Sequence, residues 1–235
     1  MPTDVPAVQA IGLTRSFRVG AMPVRALDNV SLTVAPGEVV AVQGPSGSGK
    51  SSLVYLLAGL DDPDDGRVLI NGVDWQTVRG RARARFRRSA CGFVPQGMAL
   101  LPQATAAENV EIPLLLGGVA PADRRRRTAD ALDRVGLGDA TAKLPDQLSG
   151  GQQQRVAIAR ALVVEPAVVF ADEPTGSLDS SNAEAVTELL VAAAHERGAA
   201  VVLVTHDPAV ATHARRVVQM RFGRIEPLAR REEPA

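Results

Sequence analysis

Gly44-Pro45-Ser46-Gly47-Ser48-Gly49-Lys50-Ser51-Ser52 decides the reading of this chain. It fits G-x-x-x-x-G-K-[ST], a loop whose backbone N–H groups cradle phosphates. The flanks supply the context that the pattern requires. Glu38-Val39-Val40-Ala41-Val42 ahead of it is apolar and β-branched, as a buried strand is. Ser52-Leu53-Val54-Tyr55-Leu56-Leu57-Ala58 behind it has the apolar density of a buried helix. Gly44, Gly47 and Gly49 let the backbone turn with its N–H groups facing inward. A helix starting near Gly49 points its positive end at the same spot. Lys50 adds a point charge for the β- and γ-phosphates, and Ser51 a hydroxyl for Mg²⁺. Pro45, Ser46, Ser48 and Ser52 complete the wall. The competing reading, a Gly/Ser-rich turn with a stray lysine, does not explain the strand before it and the helix after it. The loop implies a nucleoside triphosphate and says nothing of what its energy drives.

At 235 residues the chain has room for one large domain, or one domain with an inserted subdomain. A hydrophobic share of 46% is enough for a real core. The formal net charge is +0, so bulk electrostatics gives no argument for nucleic acid, and no nucleic-acid partner is expected. Lys50 and Lys143 are the only lysines, and the other basic residues are arginines. A single cysteine, Cys91, excludes a disulfide framework and a multi-cysteine zinc site. Its apolar setting predicts a packed thiol rather than a nucleophile. The opening MPTDVPAVQA lacks a basic stretch followed by an apolar core, so no secretory leader is expected. No run of 18 apolar residues exists, so no spanning helix is expected either.

Outward from the loop, Val8 to Arg18 and Val24 to Val34 read as strands, the second alternating at Val30, Leu32 and Val34. Pro36-Gly37 turns the chain into the loop's own strand. Arg67 to Ile70 with Asn71-Gly72 reads as a strand and a turn. Residues 79–88 and 124–127 are arginine runs with almost no aromatic interleaving, so both are expected to be solvated helix faces. The second run lies in a predicted helix from Pro121 to Val135, followed by Gly136. Cys91 to Pro95 reads as a short strand ending at Gln96. Residues from about 97 to 160 read as helical and interrupt an α/β pattern, which predicts an inserted helical subdomain within one domain spanning 1–235. Residues 226–235 read as a polar tail.

Further along stand LSGGQQQR at 148–155, AVVFADEPTGSLD at 167–179 and VVLVTHD at 201–207. Val168 to Ala171 reads as a buried strand that presents Asp172 at its carboxyl end, where open α/β sheets bind ligands. Asp172 can hold Mg²⁺, and Glu173 beside it can accept a proton from an attacking water. Gln96 and His206 also stand at predicted strand ends. The alternative for Gln96 is an exposed loop glutamine. His195 and His213 are expected to be helix-surface residues.

In these motifs and their order the chain resembles the ATP-binding cassette (ABC) ATPases, from Phe17 to about residue 225. The resemblance implies an α/β P-loop fold with a mixed sheet, an antiparallel β subdomain and an inserted helical subdomain. It implies ATP and Mg²⁺ as ligands, with Ser51, Gln96 and Asp172 around the metal. Glu173 becomes the catalytic base, His206 the contact to the γ-phosphate, and Gln96 a contact to Mg²⁺ or the lytic water. Ser149, Gly150, Gly151 and Gln152 would cap the γ-phosphate held by a second subunit's P-loop, with Asp179 across the same interface. Gln152, Gln153 and Gln154 are expected on the helix surface. Phe17 resembles the aromatic on which adenine stacks, although a buried strand phenylalanine is the competing reading. Two departures stand out: Ser52 replaces a common threonine, and Pro95 precedes Gln96 where an aromatic is frequent.

Val24 to Leu32, the segment around 100–116 and ADEPTGSLD look most like the lipoprotein-release and macrolide-export group, which includes a cell-division ATPase. The resemblance implies an ATPase subunit at the cytoplasmic face of the membrane. It would form a dimer with a second ATPase subunit, either a second copy of this chain or a related subunit. A separately encoded transmembrane permease would dock in a groove lined from about Met98 to Leu116. The alternative is a non-transport cassette acting as a regulatory or assembly switch.

Overall fold

The computed structural model describes residues 5–226 except Ala21, Ser177 and Asp179. A six-stranded sheet forms the centre, in the order β10-β9-β3-β8-β7-β6. Its strands are β3 (Val39–Gln43), β6 (Cys91–Val94), β7 (Val168–Asp172), β8 (Ala200–Val204), β9 (Arg216–Arg221) and β10 (Arg224–Ile225). All neighbours run parallel except β9 and β10. Every residue of β7 and of β8 is buried. That explains their unbroken apolar runs: a parallel strand covered on both faces has no polar side to show.

A second, antiparallel sheet has the order β2-β1-β4-β5. It consists of β1 (Val8–Val19), β2 (Met22–Val34), β4 (Asp65–Ile70) and β5 (Val73–Asp74). Its inner face joins the central sheet and helix α1 (Lys50–Leu57) in one core that includes Leu13, Leu27, Leu53, Trp75 and Phe170. The other face of the central sheet packs on α6 (Ser180–His195) through Val169, Leu203, Val186 and Leu190.

The helical part has a core of its own. Helices α3 (Ala106–Leu116), α4 (Pro121–Arg134) and α5 (Gly150–Leu162) bury Val110, Leu114, Leu132 and Val156 against one another. Thr105 caps α3 in a capping box with Glu108, which fixes where the helix starts. Irregular chain covers 97–105, and two short 3₁₀ turns, Gly138–Ala140 and Pro145–Gln147, precede α5. Helix α2 (Gly80–Ala90) carries the first arginine run, and α4 the second. Cys91 is buried, and burial pushes its thiol up to about 12, as expected of a packed thiol.

Two expectations fail here. His213 lies half-buried in the turn after α7 (Pro208–Ala211), not on a helix surface. Gln154 is buried, with 1% of its surface exposed. On α5 it lies three residues after Gly151 and four before Ile158, both buried, so the helical period turns it inward.

Phe170 is fully buried in β7 and shares a sheet face with Asp172. Phe170→Ala should therefore cost about 3–5 kcal/mol of folding free energy, read as a lower denaturation midpoint.

Candidate functional site

Four parallel strands end at the same place. The loop after β3 carries Lys50 and Ser51, the chain after β6 carries Gln96, β7 ends on Asp172 and Glu173 follows, and His206 follows β8. Residues from all four line one cavity of about 650 Å³, together with Val24, Arg25 and Ala26 of β2. The carboxyl edge of a parallel sheet is the place where such folds build ligand sites.

The loop is shaped by close backbone contacts. A Cβ at Gly44 would collide with Met220 O, and one at Gly49 with Ala26 O. Gly49 also has φ +100 as the N-cap of α1, which an L side chain rarely adopts. Lys50 is buried, and its Nζ donates to Gly44 O and Pro45 O, each at 2.9 Å. It forms no ion pair among the described residues, and its direct partners are these two carbonyls. A phosphate would complete it.

Ser51 Oγ donates to Asp172 Oδ1 at 3.1 Å. Asp172 is fully buried, and its Oδ2 has no hydrogen-bond partner. Burial pushes its carboxyl above the ordinary value of 3.8, and Glu173 adds to the rise, while the Ser51 hydroxyl and Lys50 oppose it. An orphaned carboxylate oxygen beside a hydroxyl is a hard-oxygen donor set, which suits Mg²⁺. Glu173 adopts φ +44, a sparsely populated conformation for a residue with a side chain. Its N–H is held by Val204 O at 3.0 Å, and its Oε1 lies 3.2 Å from His206 Nδ1. Mostly exposed, His206 stands over Glu173 at the cavity edge.

Phe17 does not line the cavity, but its cross-strand partner Val24 does. It is partly exposed, and the Arg15 guanidinium lies 5.0 Å from its ring centroid, covering one face. Arg15 is itself fixed by Asp61 and Asp64 at 2.8 and 2.9 Å. The β2 wall is tied to the central sheet by Asp28, whose N–H donates to Gly223 O at 2.9 Å. Arg224 Nε donates to Asp28 Oδ2 at 2.8 Å and holds that carboxyl below its ordinary range.

Ser149, Gly150, Gly151 and Gln152 do not line this cavity. They form the start of α5. Ser149 Oγ accepts from Gln152 N at 3.3 Å, and Gln152 Oε1 accepts from Ser149 N at 3.0 Å. S-G-G-Q is thus a capping box; the first-turn N–H groups of Gly150, which is exposed, and of Gly151, which is buried, have no acceptor within the helix. Gln153 Nε2 donates to Pro145 O and Leu148 O, stitching the helix start to the preceding turn. Gln154 Nε2 is buried without a partner. Three adjacent glutamines thus do three different things, and the helical period is the signal that separates them. Asp179 lies outside the described residues.

One residue was missed by the sequence reading. Met98 and Ala99 have φ +66 and +46, two consecutive left-handed residues after Gln96 and Gly97. Arg160 of α5 donates to Met98 O at 2.9 Å and to Ala99 O at 2.8 Å. Its side chain pins the strained loop that carries Gln96. Burial lowers its pKa, a measure of how far the guanidinium has been drawn from water. Nothing in the sequence around Arg160 distinguishes it from a surface arginine.

The family model for the ABC transporter matches residues 27–176. The chain belongs to the ABC transporter family. It is an ATP-binding cassette, an ATPase that takes ATP with Mg²⁺. It is 48% identical over 223 residues to the macrolide export ATP-binding/permease protein MacB of Rhodospirillum rubrum, covering 95% of this chain and 34% of that protein. It is 45% identical to an uncharacterized ABC transporter ATP-binding protein of Thermotoga maritima, covering 95% of each. Among solved structures, a dimeric post-hydrolysis state of the ATP-binding cassette MJ0796, bound to ADP and Pi, superposes with a TM-score of 0.86. It shares 39% identity and covers 94% of this chain and 97% of that one. The cassette thus spans about a third of the MacB proteins it matches. No helix among the described residues is long and apolar enough to cross a membrane.

The raised Asp172 carboxyl makes a testable statement. The folded protein holds this proton to higher pH than the unfolded chain does. Stability therefore falls as pH rises from 3.8 through the raised value, and the penalty is fully present above it. Asp172→Asn should raise the melting temperature of the nucleotide-free cassette at pH 7, by about 2–4 °C per kcal/mol of relieved desolvation. The gain should vanish in acid, and Mg²⁺ should no longer add to the shift that nucleotide produces. Differential scanning calorimetry with and without Mg²⁺ reads all three.

Proposed function

We propose that this cassette is the ATP-driven subunit of a membrane transporter of the macrolide-export and lipoprotein-release type. Two copies close head to tail on two ATP molecules, and the closure drives a transmembrane permease. The observation that carries this reading is the separation of two anion sites. The cavity at the ends of β3, β6, β7 and β8 has no contribution from the start of α5, although α5 presents free N–H groups. Such a start is a ready phosphate site that the same chain's P-loop does not use. A second copy supplies the missing wall. The dimeric state of the MJ0796 structures supports the arrangement.

The permease is proposed as a separate chain, with the cassette bound peripherally at the cytoplasmic face. The Thermotoga relative, covered over 95% of its length, supports a stand-alone ATP-binding subunit. The MacB relatives, named as ATP-binding and permease protein together, support the kind of partner.

In the proposed mechanism the phosphates draw Lys50 Nζ away from Gly44 O and Pro45 O. Gly44, Pro45, Ser46, Gly47, Ser48 and Gly49 offer the loop N–H groups, Pro45 excepted, since proline has none. Ser51, Asp172 and Gln96 would hold Mg²⁺, which when bound neutralises charge on the β- and γ-phosphate oxygens. Glu173 accepts the proton of the attacking water as its oxygen bonds to the γ-phosphorus and the bond to ADP breaks. His206 holds Glu173 through Nδ1 and meets the γ-phosphate. Ser149, Gly150, Gly151 and Gln152 of the second copy close over that phosphate, and Asp179 faces the same interface. Phe17 takes the adenine on the face that Arg15 leaves open, a contact that does not read base identity.

Two substitutions test the roles. Glu173→Gln keeps shape and hydrogen bonding but removes the base. Turnover should fall by at least about 10²-fold, and an ATP-bound dimer should persist on size-exclusion chromatography. Normal hydrolysis by this variant would remove Glu173 from the base role. Ser149→Arg should abolish ATP-dependent dimerisation while leaving nucleotide binding to the monomer intact. Loss of monomer binding would place the start of α5 in its own chain's site.

A further inference from the structure

The β2 wall of the nucleotide cavity carries a guanidinium that the mechanism above does not use. Among the described residues that line this cavity, Arg25 and Lys50 are the two permanent cations. Lys50 is buried in the loop, whereas the Arg25 side chain is 61% exposed.

Arg25 is anchored by one donor only. Its Nη1 donates to Asp28 Oδ1 at 3.0 Å, and it forms no other ion pair among the described residues. Asp28 already has a partner, since Arg224 Nε donates to its Oδ2 at 2.8 Å. One carboxylate thus faces two guanidiniums, which leaves one positive charge uncompensated. An exposed pair of this kind adds little to stability, so stability alone does not account for Arg25. A guanidinium has a planar fork of N–H donors, and most of this one stays open to the cavity.

The anchor is fixed to the phosphate loop itself. Gly223 N donates to Ser48 O at 3.0 Å, and Asp28 N donates to Gly223 O at 2.9 Å. Two backbone hydrogen bonds therefore connect the loop to the residue that holds Arg25. Strand register then sets the level of Arg25 along the cavity. On one side Val24 is the cross-strand partner of Phe17, the base platform of the proposed mechanism. On the other, Ala26 O abuts Gly49 at the start of α1, where the loop takes the outer phosphates. Arg25 stands between the base end and the phosphate end. Lys50 serves the β- and γ-phosphates, so the α-phosphate is the charged group left at that level. A guanidinium meets a phosphate through charge-assisted, two-pronged hydrogen bonds.

We propose that Arg25 is a nucleotide-binding residue that holds the α-phosphate, with Asp28 as the positioning carboxylate that aims it. The level assigned to Arg25 rests on Phe17 taking the base, as proposed above. The α-phosphate is common to ATP and ADP, so Arg25 grips the nucleotide alike before and after hydrolysis.

The test is displacement of a fluorescent ADP from the whole chain by AMP, ADP, 2′-deoxy-ADP and a non-hydrolysable ATP analogue. Arg25→Ala should weaken all four by a similar factor, about tenfold, and should flatten the fall of affinity with salt. Arg25→Lys keeps the charge and loses the fork, so it should recover part of the loss. Without nucleotide, both variants should melt within about 4 °C of the parent chain, because Arg224 still holds Asp28. Should Arg25→Ala melt lower, Arg25→Lys with the same four ligands carries the test. Unchanged affinity for all four would overturn the proposal. So would a loss that spares AMP, which would place Arg25 on an outer phosphate, or one that spares 2′-deoxy-ADP, which would place it on the ribose. Phe17→Ala is the separate arm and should weaken AMP and ADP together. If it does not, the base lies elsewhere and the level assigned to Arg25 falls with it, while the AMP comparison still reports whether Arg25 meets the α-phosphate. The Glu173 and Ser149 experiments on hydrolysis and dimerisation stand apart from all of these outcomes.

Discussion

The hydrogen bond from Ser51 Oγ to Asp172 Oδ1 ties together residues 121 apart in sequence. It joins the start of α1 to the end of β7, across a sheet in which β8 lies between β3 and β7. Everything else at the site is placed relative to that contact. It is also incomplete. Asp172 keeps one buried oxygen without a partner, and Lys50 keeps a buried ammonium with only carbonyls around it. A fold tolerates such groups only when the rest of its core holds them in place, and here the fully buried strands β7 and β8 do so. The stability lost to the two charges reappears as affinity for a ligand that carries both a divalent cation and phosphates.

Backbone strain is concentrated in the same region. Glu173, Met98 and Ala99 all adopt left-handed conformations with side chains that disfavour them. Each is held by a specific bond: Glu173 N–H by Val204 O, and the 98–99 carbonyls by Arg160. The strain keeps the Glu173 carboxylate above the sheet edge beside His206 and turns the chain sharply after Gln96. Relaxed conformations at these positions would aim the same side chains elsewhere, so the geometry depends on Val204 and Arg160 as well.

Much of this was legible because its signals are local. A glycine-rich loop between a strand and a helix, and carboxylates at the end of an apolar run, are patterns of neighbouring residues. The buried strands β3, β7 and β8 were legible for the same reason: both-face burial leaves unbroken apolar runs at Val39–Val42, Val168–Ala171 and Ala200–Val204. What was not legible depends on distant partners. Arg160 looks like any helix arginine until residues 98–99 are folded against it. Arg83 and Arg124 read as solvated faces because the sequence does not show that Asp62 and Glu111 meet them. Gln154 and His213 went wrong on different grounds. For Gln154 polarity was given more weight than the helical period, and for His213 the helix ends earlier than its alanine-rich sequence suggests.

Helix α5 gives these features a mechanical connection. Its first turn is the capping box of Ser149 and Gln152, which does not line its own chain's P-loop cavity. Near its last turn stands Arg160, clamped on the loop of its own Gln96. The two ends are joined by eleven residues of continuous helix, roughly 16 Å at the usual rise, and its inner face is locked in the core through Val156 and Ile158. In the head-to-tail dimer proposed above, the first turn meets the partner's ATP. A shift of α5 on that phosphate cannot be absorbed within the helix, because its interior is close-packed. In that arrangement it would reach Met98 and Ala99 through Arg160, and so the loop of Gln96. The connection between the first turn of α5 and the loop of Gln96 then needs no hinge; the rigidity of one short helix is enough.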